Sequence, residues 1–346
     1  MTSTAGRDDN LVRNALGIAV ILAAAIGALG YQRSWFAPSA PSTSVSAKSP
    51  PKPKKPAASI PLHVPMELTA DEKAKGYWEC SEPDPGYGFY GAPHKIENGF
   101  VVIPERGGHD ASFGYDVLLH FHGFGAVRKN VVRAGKAVVF AGLDLGNGSG
   151  PYSDFFAQPG AFERVKDQVG QALRDASGDP RAHIRHLALT AWSAGYGAVN
   201  EILKRGDDGI DAVVLLDGLH TGWAPGAPHD DPSSLEAVRI APVIAFSQRA
   251  AAGEKIFFYT HSSIVPPGYA STTDTAKLLY ARNGVKPLAA PPTDDPLGLL
   301  EWVDVKGFHV RGYAGGDERA HCDHTRFIAD AIRDFLEPAW ETPPAE

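Results

Sequence analysis

The sequence predicts a doubly wound, mostly parallel α/β sheet with helices on both faces, and three observations predict it. Short runs rich in Val, Ile and Leu recur between residues 116 and 260, apolar throughout and not alternating. Continuous apolarity is what strands covered on both faces require. Stretches with a 3.6-residue apolar period lie between those runs, so strand and helix alternate along the chain. Finally, 37 Gly and 28 Pro supply turns, with neither a Gly-X-Y period nor a longer repeat, which fits one loop-rich domain better than a solenoid.

The elements follow in chain order. Residues 15–30 (ALGIAVILAAAIGALG) carry no charge and lie between Arg7 and Arg13 on one side and Tyr31, Arg33 and Trp35 on the other. The run is slightly short of the roughly 20 residues of a spanning helix and long for the core of a signal peptide. We expect segment 1–33 to be an N-terminal hydrophobic helix acting as a membrane anchor, with a cleaved signal ending near 28–30 as the alternative. Either way the rest of the chain is expected to be exported, periplasmic or extracellular. Segment 34–59 is dense in Pro, Ser, Ala and Lys and cannot bury enough apolar surface to order itself, so it reads as a tether. Its Lys52, Lys54 and Lys55 form a small basic patch that is open to contact with acidic lipid or wall polymer.

Residues 60–346 are left for one catalytic-sized domain. Strands are expected over 116–122 (DVLLHFH), 137–143, 186–191 (HLALTA), 212–216 (AVVLL) and 256–260 (IFFYT). Helices are expected over 161–176, 198–204, part of 233–252, 274–281 and 325–336. In the first of these, Phe162, Val165, Val169 and Leu173 form one stripe with charges opposite. Sheets of this kind place their chemistry at the carboxyl ends of the strands.

Charge and composition narrow the partners. With 33 Lys and Arg against 40 Asp and Glu, the net charge is −7, without long blocks of one sign. Nucleic acid is therefore not an expected partner, whereas a small molecule or polymer substrate is. Two cysteines exclude a disulfide scaffold and a four-Cys zinc module, while 13 histidines leave a His-carboxylate metal site open.

The run 187–203 (LALTAWSAGYGAVNEIL) reads as strand, tight turn, helix, with Ala191-Trp192-Ser193-Ala194-Gly195 at the turn. This is the context of the G-x-S-x-G nucleophile elbow, with Ala191 in place of the first Gly. Ser193 would stand at a helix N-terminus, where the Ala194 N–H helps to hold an oxyanion. About 70 residues upstream, 118–125 (LLHFHGFG) ends an apolar strand in a Gly-containing loop. The N–H of Phe124, or that of Gly123, is the expected second donor there. Asp323-His324-Thr325 stands before the last amphipathic run; His324 is the expected base, with His321 as the alternative, and Asp323 also reads as a plain helix cap.

This order of strand-HG, strand-(A/G)-x-S-x-G-helix and His-helix resembles the α/β-hydrolase superfamily over residues 60–338. The tail DHTRFIADAIRDFL is similar to the end of esterase D and S-formylglutathione hydrolase sequences, although the surroundings of Ser193 do not match that subgroup. The resemblance implies an α/β-hydrolase-type fold, a serine esterase chemistry without cofactor, a nucleophile at Ser193, a base at His324 and backbone donors near Phe124 and Ala194. In most such enzymes the acid follows the strand that corresponds here to IFFYT, yet that strand runs into His261-Ser262-Ser263. One strand earlier, AVVLL runs into Asp217-Gly218. Asp217 is the expected acid, in the chain order Ser, Asp, His, with Asp274 as the alternative; Asp before Gly also reads as an ordinary turn.

Two other readings stay open. His120 and His122 on one strand, with His220 and His261 at other strand ends, would draw a His-rich metal-dependent hydrolase. A hydrolase-like domain that only binds a ligand at the cell envelope is the second, kept open by Ala191 and by the missing acid after IFFYT. Cys80 and Cys322 are expected to form one disulfide in an exported domain. The segment 219–252, with Trp223, Pro225 and Pro228, reads either as a cap over the site or as a plain loop and surface helix.

Overall fold

The computed structural model describes residues 83–229, 231–292 and 297–341. The chain divides into two units, Met1–His63 and Val64–Glu346, and every described residue belongs to the second. The expected anchor or signal, the linker and Cys80 lie outside the described residues. No described helix is long and apolar enough to cross a membrane.

Ten strands form one sheet: β1 (His94–Ile96), β2 (Gly99–Val102), β3 (Gly114–Phe121), β4 (Val139–Leu143), β5 (His183–Trp192), β6 (Ala212–Leu216), β7 (Ile256–His261), β8 (Leu288–Ala289), β9 (Leu299–Val305) and β10 (Phe308–Tyr313). Their order is β1-β2-β4-β3-β5-β6-β7-β10-β9-β8. The six strands from β4 to β10 in that order are parallel, and antiparallel pairs close both edges. This is the doubly wound, mostly parallel sheet that the continuous apolar runs foretell. Successive residues of each central strand feed opposite layers. Leu119, Val213, Leu215 and Tyr259 pack with Val165, Val169, Leu173 and Val199 on one face. Leu118, Val214, Leu216 and Phe258 pack with Val127, Val131, Ile328 and Ile332 on the other. Both faces are covered, so the central strands are apolar apart from a few hydrogen-bonded polar residues such as His120, Thr190 and Thr260.

The helices are α1 (Phe124–Ala134), α2 (Gly150–Ala157), α3 (Ala161–Ser177), α4 (Tyr196–Leu203), α5 (Ala241–Ala252), α6 (Thr272–Asn283) and α7 (Glu318–Asp323). Two departures from the sequence reading matter for the site. The stretch after LLHFH, expected as a loop, becomes α1, because its buried polar residues are satisfied: Arg128 reaches the Gly86 carbonyl and the Asp84 carboxylate. The C-terminal helix expected over 325–336 is not uniform. A 3-10 turn at His324–Arg326 leads into Phe327–Asp330, and a π-helical stretch follows at Ala331–Leu336. Within 219–252, α5 is the crossover between β6 and β7 and packs its Val243, Phe246 and Ala250 into the core. Only residues 219–240 are left as a candidate cover.

Candidate active site

The chain reverses its direction of travel across the sheet at β3: β4 lies on one side of it and β5 on the other. A crevice at the carboxyl ends of β3 and β5 is the expected consequence. Ser193 follows β5 directly and opens the turn Ser193–Gly195 that leads into α4. Its φ is +49°, a left-handed conformation that costs a non-glycine residue roughly 1–3 kcal/mol. The neighbours that enforce it are visible. A Cβ on Gly195 would stand 2.0 Å from the Phe121 carbonyl oxygen, and one on Gly218 would stand 2.2 Å from the Ser193 carbonyl oxygen. The turn is thus clamped between the ends of β3 and β6, and Ala191, fully buried, is small enough for the first position of the elbow.

Asp217 ends β6 with a φ of +42° and is 2% exposed. Its Oδ1 accepts the Ser262 N–H at 2.9 Å and the Thr272 hydroxyl at 2.7 Å. Its own N–H donates to the Thr260 carbonyl at 3.0 Å. Oδ2 meets His321 Nδ1 at 2.6 Å. Burial pushes the Asp217 carboxyl up, and His324, His321 and the Thr272 hydroxyl together bring it below the ordinary carboxylate range. An ionised Asp217 can only accept, so His321 donates from Nδ1, and in the neutral ring this tautomer leaves Nε2 as the acceptor.

His321 lies on α7, whose N-cap Asp317 accepts the Ala320 N–H at 2.8 Å. The indole N–H of Trp192 donates to the His321 carbonyl at 3.0 Å, and the two rings stand 4.9 Å apart. Trp192, the residue before Ser193, therefore ties α7 to the end of β5. Among the described residues neither Ser193 Oγ nor His321 Nε2 makes a hydrogen bond. Separated in that way, they fit a site in which the bond to the nucleophile tightens only around substrate.

The expectation for His324 is corrected here. His324 is fully buried, and its Nδ1 lies 2.8 Å from the Thr260 hydroxyl. Complete burial lowers its pKa to about 4, and its Nε2 has no partner among the described residues. Three residues along a helical turn, the two histidines point to different places: His321 to Asp217, His324 to the floor beneath it. Asp274, the alternative acid, is corrected as well. It closes a capping box with Ser271 at the start of α6, each side chain satisfying the other's backbone N–H.

The expected oxyanion donors divide. Ala194 is the second residue of a helical turn, where an N–H has no intrahelical acceptor behind it. Phe124 does not offer its N–H. Asp144, at the end of β4, accepts the Gly123 N–H at 2.6 Å and the Phe124 N–H at 3.3 Å, so the carboxylate caps the start of α1. The metal reading also loses its ligand set. His120 bonds to Thr190 and to the His122 carbonyl, His122 to Tyr152, His220 to the Ala270 carbonyl and His261 to Thr273. Among the described residues no three His, Cys, Asp or Glu side chains are grouped to hold a metal ion.

Cys322, directly after His321, is disulfide-bonded. His220, close to Asp217 and His321, packs edge-on to Tyr196 and Tyr269, and in the segment that follows Trp223 stacks on His229. Sequence reasoning missed the partners that hold Asp217. Ser262 holds it by a backbone N–H, which no residue type announces, whereas Thr272 holds it by its hydroxyl, and the STT run at the start of α6 was the available signal.

No family model matches the chain, and no curated protein matches it. Solved structures with a similar course of chain include the feruloyl esterase module of Clostridium thermocellum complexed with sinapinate, at 14% identity over 77% of this chain and 94% of that one, TM-score 0.42. The carboxylesterase CesB of Bacillus subtilis is similar at 10% identity over 73% and 93%, TM-score 0.39. The ferric enterobactin esterase of Salmonella typhimurium is similar at 13% identity over 58% and 53%, TM-score 0.35.

Proposed function

We propose that this chain is a serine hydrolase that cleaves a carboxylic ester or a related acyl bond. Ser193 is the nucleophile, His321 the general base and Asp217 the residue that orients the imidazole. The observation that carries the reading is the 2.6 Å contact of His321 Nδ1 with a fully hydrogen-bonded, buried Asp217, set beside a left-handed serine at a strand-to-helix turn. In that arrangement His321 Nε2 takes the proton as Ser193 Oγ attacks, and the imidazolium is stabilised by Asp217 without proton transfer to it. The same proton then goes to the leaving alcohol, and water repeats the sequence on the acyl-enzyme. His220, close to Asp217 and His321, with its ring neighbours Tyr196 and Tyr269, is the candidate wall on the acyl or alcohol side.

Mass-spectrometric mapping of fluorophosphonate labelling tests the reading. Labelling at Ser193, abolished in Ser193→Ala, is the expected result; a folded chain with no labelled serine overturns it. The reading includes export and tethering through the uncharged run 15–30, and a disulfide between Cys80 and Cys322. Carbonate extraction of membranes and protease accessibility in intact cells check the tether, and a mass map of non-reduced protein checks the bridge.

A further inference from the structure

The loop after β3 has its backbone donors at Gly123 and Phe124 engaged by Asp144, yet it leaves one side chain open. His122 follows β3 in the register that sets Phe121 opposite Ala191, so it stands beside Trp192, one residue short of Ser193. The two rings stack with centroids 5.3 Å apart and planes 16° from parallel. A φ of +72° takes His122 out of the strand's alternation, which is how its ring comes to lie over Trp192.

The position of the ring proton follows from its partner. The Tyr152 hydroxyl is fully buried and accepts the Leu145 N–H at 3.2 Å. Its single proton has one acceptor among the described residues, His122 Nδ1 at 2.9 Å. A buried hydroxyl proton left without an acceptor is costly. Nδ1 therefore accepts, and the ring carries its proton on Nε2. That N–H has no partner among the described residues. Burial, only partly opposed by Asp144, lowers the pKa of the ring, which keeps it a neutral donor.

We propose that His122 donates its Nε2–H to the carbonyl oxygen of the bond attacked by Ser193, and with the Ala194 N–H completes the oxyanion site by a side chain in place of loop backbone. The proposal rests on the serine hydrolase reading. In the step, an Oγ electron pair of Ser193 forms the bond to the acyl carbon, the carbonyl π pair moves onto oxygen, and the serine proton goes to His321. His122 keeps its proton, and its hydrogen bond strengthens as the oxygen becomes charged. When that pair re-forms the carbonyl, the alcohol oxygen leaves and takes the proton from His321.

The rate of fluorophosphonate labelling of the full chain tests this, because phosphonylation places the same charge on the phosphoryl oxygen. His122→Leu is expected to be labelled about 100- to 1,000-fold more slowly, as for loss of one oxyanion donor, with His122→Gln, which restores an N–H, recovering to within about tenfold of wild type. His122→Phe keeps the stacking on Trp192 and is expected to match the leucine variant, so it answers the question if leucine fails to fold. A merely supporting role would lower the unfolding midpoint together with the rate and would not be rescued by glutamine. A folded His122→Leu or His122→Phe labelled within about threefold of wild type overturns the proposal while Ser193 labelling leaves the hydrolase reading standing. Absence of any label at Ser193 in the wild type overturns both.

Discussion

Two halves of the site meet at Trp192 and are built in opposite ways. On the acid side, both oxygens of Asp217 are occupied by Ser262, Thr272 and His321, and its backbone N–H is held by Thr260. On the nucleophile side, Ser193 Oγ and His122 Nε2 have no hydrogen-bond partner among the described residues. A charge taken out of water is tolerable only if fixed dipoles replace the hydration, so the carboxylate is saturated. The groups that will meet a substrate must instead be left unsatisfied, because a partner already in place competes with the developing charge. Asp144 shows the alternative on the nucleophile side itself: it saturates the Gly123 and Phe124 donors and thereby withdraws them.

The largest break in this contrast is expected from Asp217→Asn. An amide cannot accept from three donors and still fix the Nδ1–H tautomer of His321, so kcat is expected to fall about 10⁴-fold. Steady-state hydrolysis of a p-nitrophenyl ester, with circular dichroism to check folding, measures it. A sharper comparison sets His321→Gln against His324→Gln. The first is expected to lower kcat about 10³-fold or more with the unfolding midpoint nearly unchanged. The second is expected to keep kcat within about tenfold and to lose about 1–3 kcal/mol of stability, since it disturbs a buried pairing with Thr260 and not the base. Reversal of that pattern would return the base to His324.

The smallest effect is a pH dependence of stability. His324 is neutral in the fold down to about pH 4, whereas its ordinary value is 6.5; His120 behaves alike, with burial lowering it to about 3. Below 6.5 the unfolded chain takes up protons that the folded chain does not, so the stability is complete above that pH and falls as the pH drops towards 4. For His324 the loss is about 3 kcal/mol. Asp217 has a lowered pKa and adds its own loss only at more acid pH. Urea midpoints between pH 7.5 and 4.5 should fall in the wild type and fall less in His324→Gln.

Much of the sheet was legible because a strand buried on both faces writes itself as an unbroken apolar run; AVVLL at 212–216 coincides with β6. The strands β10 and β9 beyond β7 were not, since alternation with Glu301, Asp304 and Arg311 hides them among exposed segments. In the site, the small-x-Ser-x-Gly turn was legible from steric need and Asp217 from its place at the end of AVVLL; that Gly218 leaves room for the Ser193 backbone was visible only in the structure. The choice between His321 and His324 was not. Residues three apart on a helical turn share a face to first approximation, and only the docking of α7 against Trp192 decides which imidazole reaches Asp217. Nor could sequence show that Asp144, 20 residues away, would occupy the Phe124 N–H.

The long sequence separation between Asp217 and His321 has a consequence for how the protein comes into being. The two are 104 residues apart, and β7 and β10, which complete the parallel sheet, lie between them in sequence. A chain emerging from the ribosome can dock its early strands and shape the Ser193 turn well before α7 exists, since domains assemble from the N-terminal side during synthesis. With His321 as the proposed base, Ser193 has no base until the last helical segments have been made. On that proposal the chain is chemically silent while it is nascent, and any truncated product that stops short of His321 stays so.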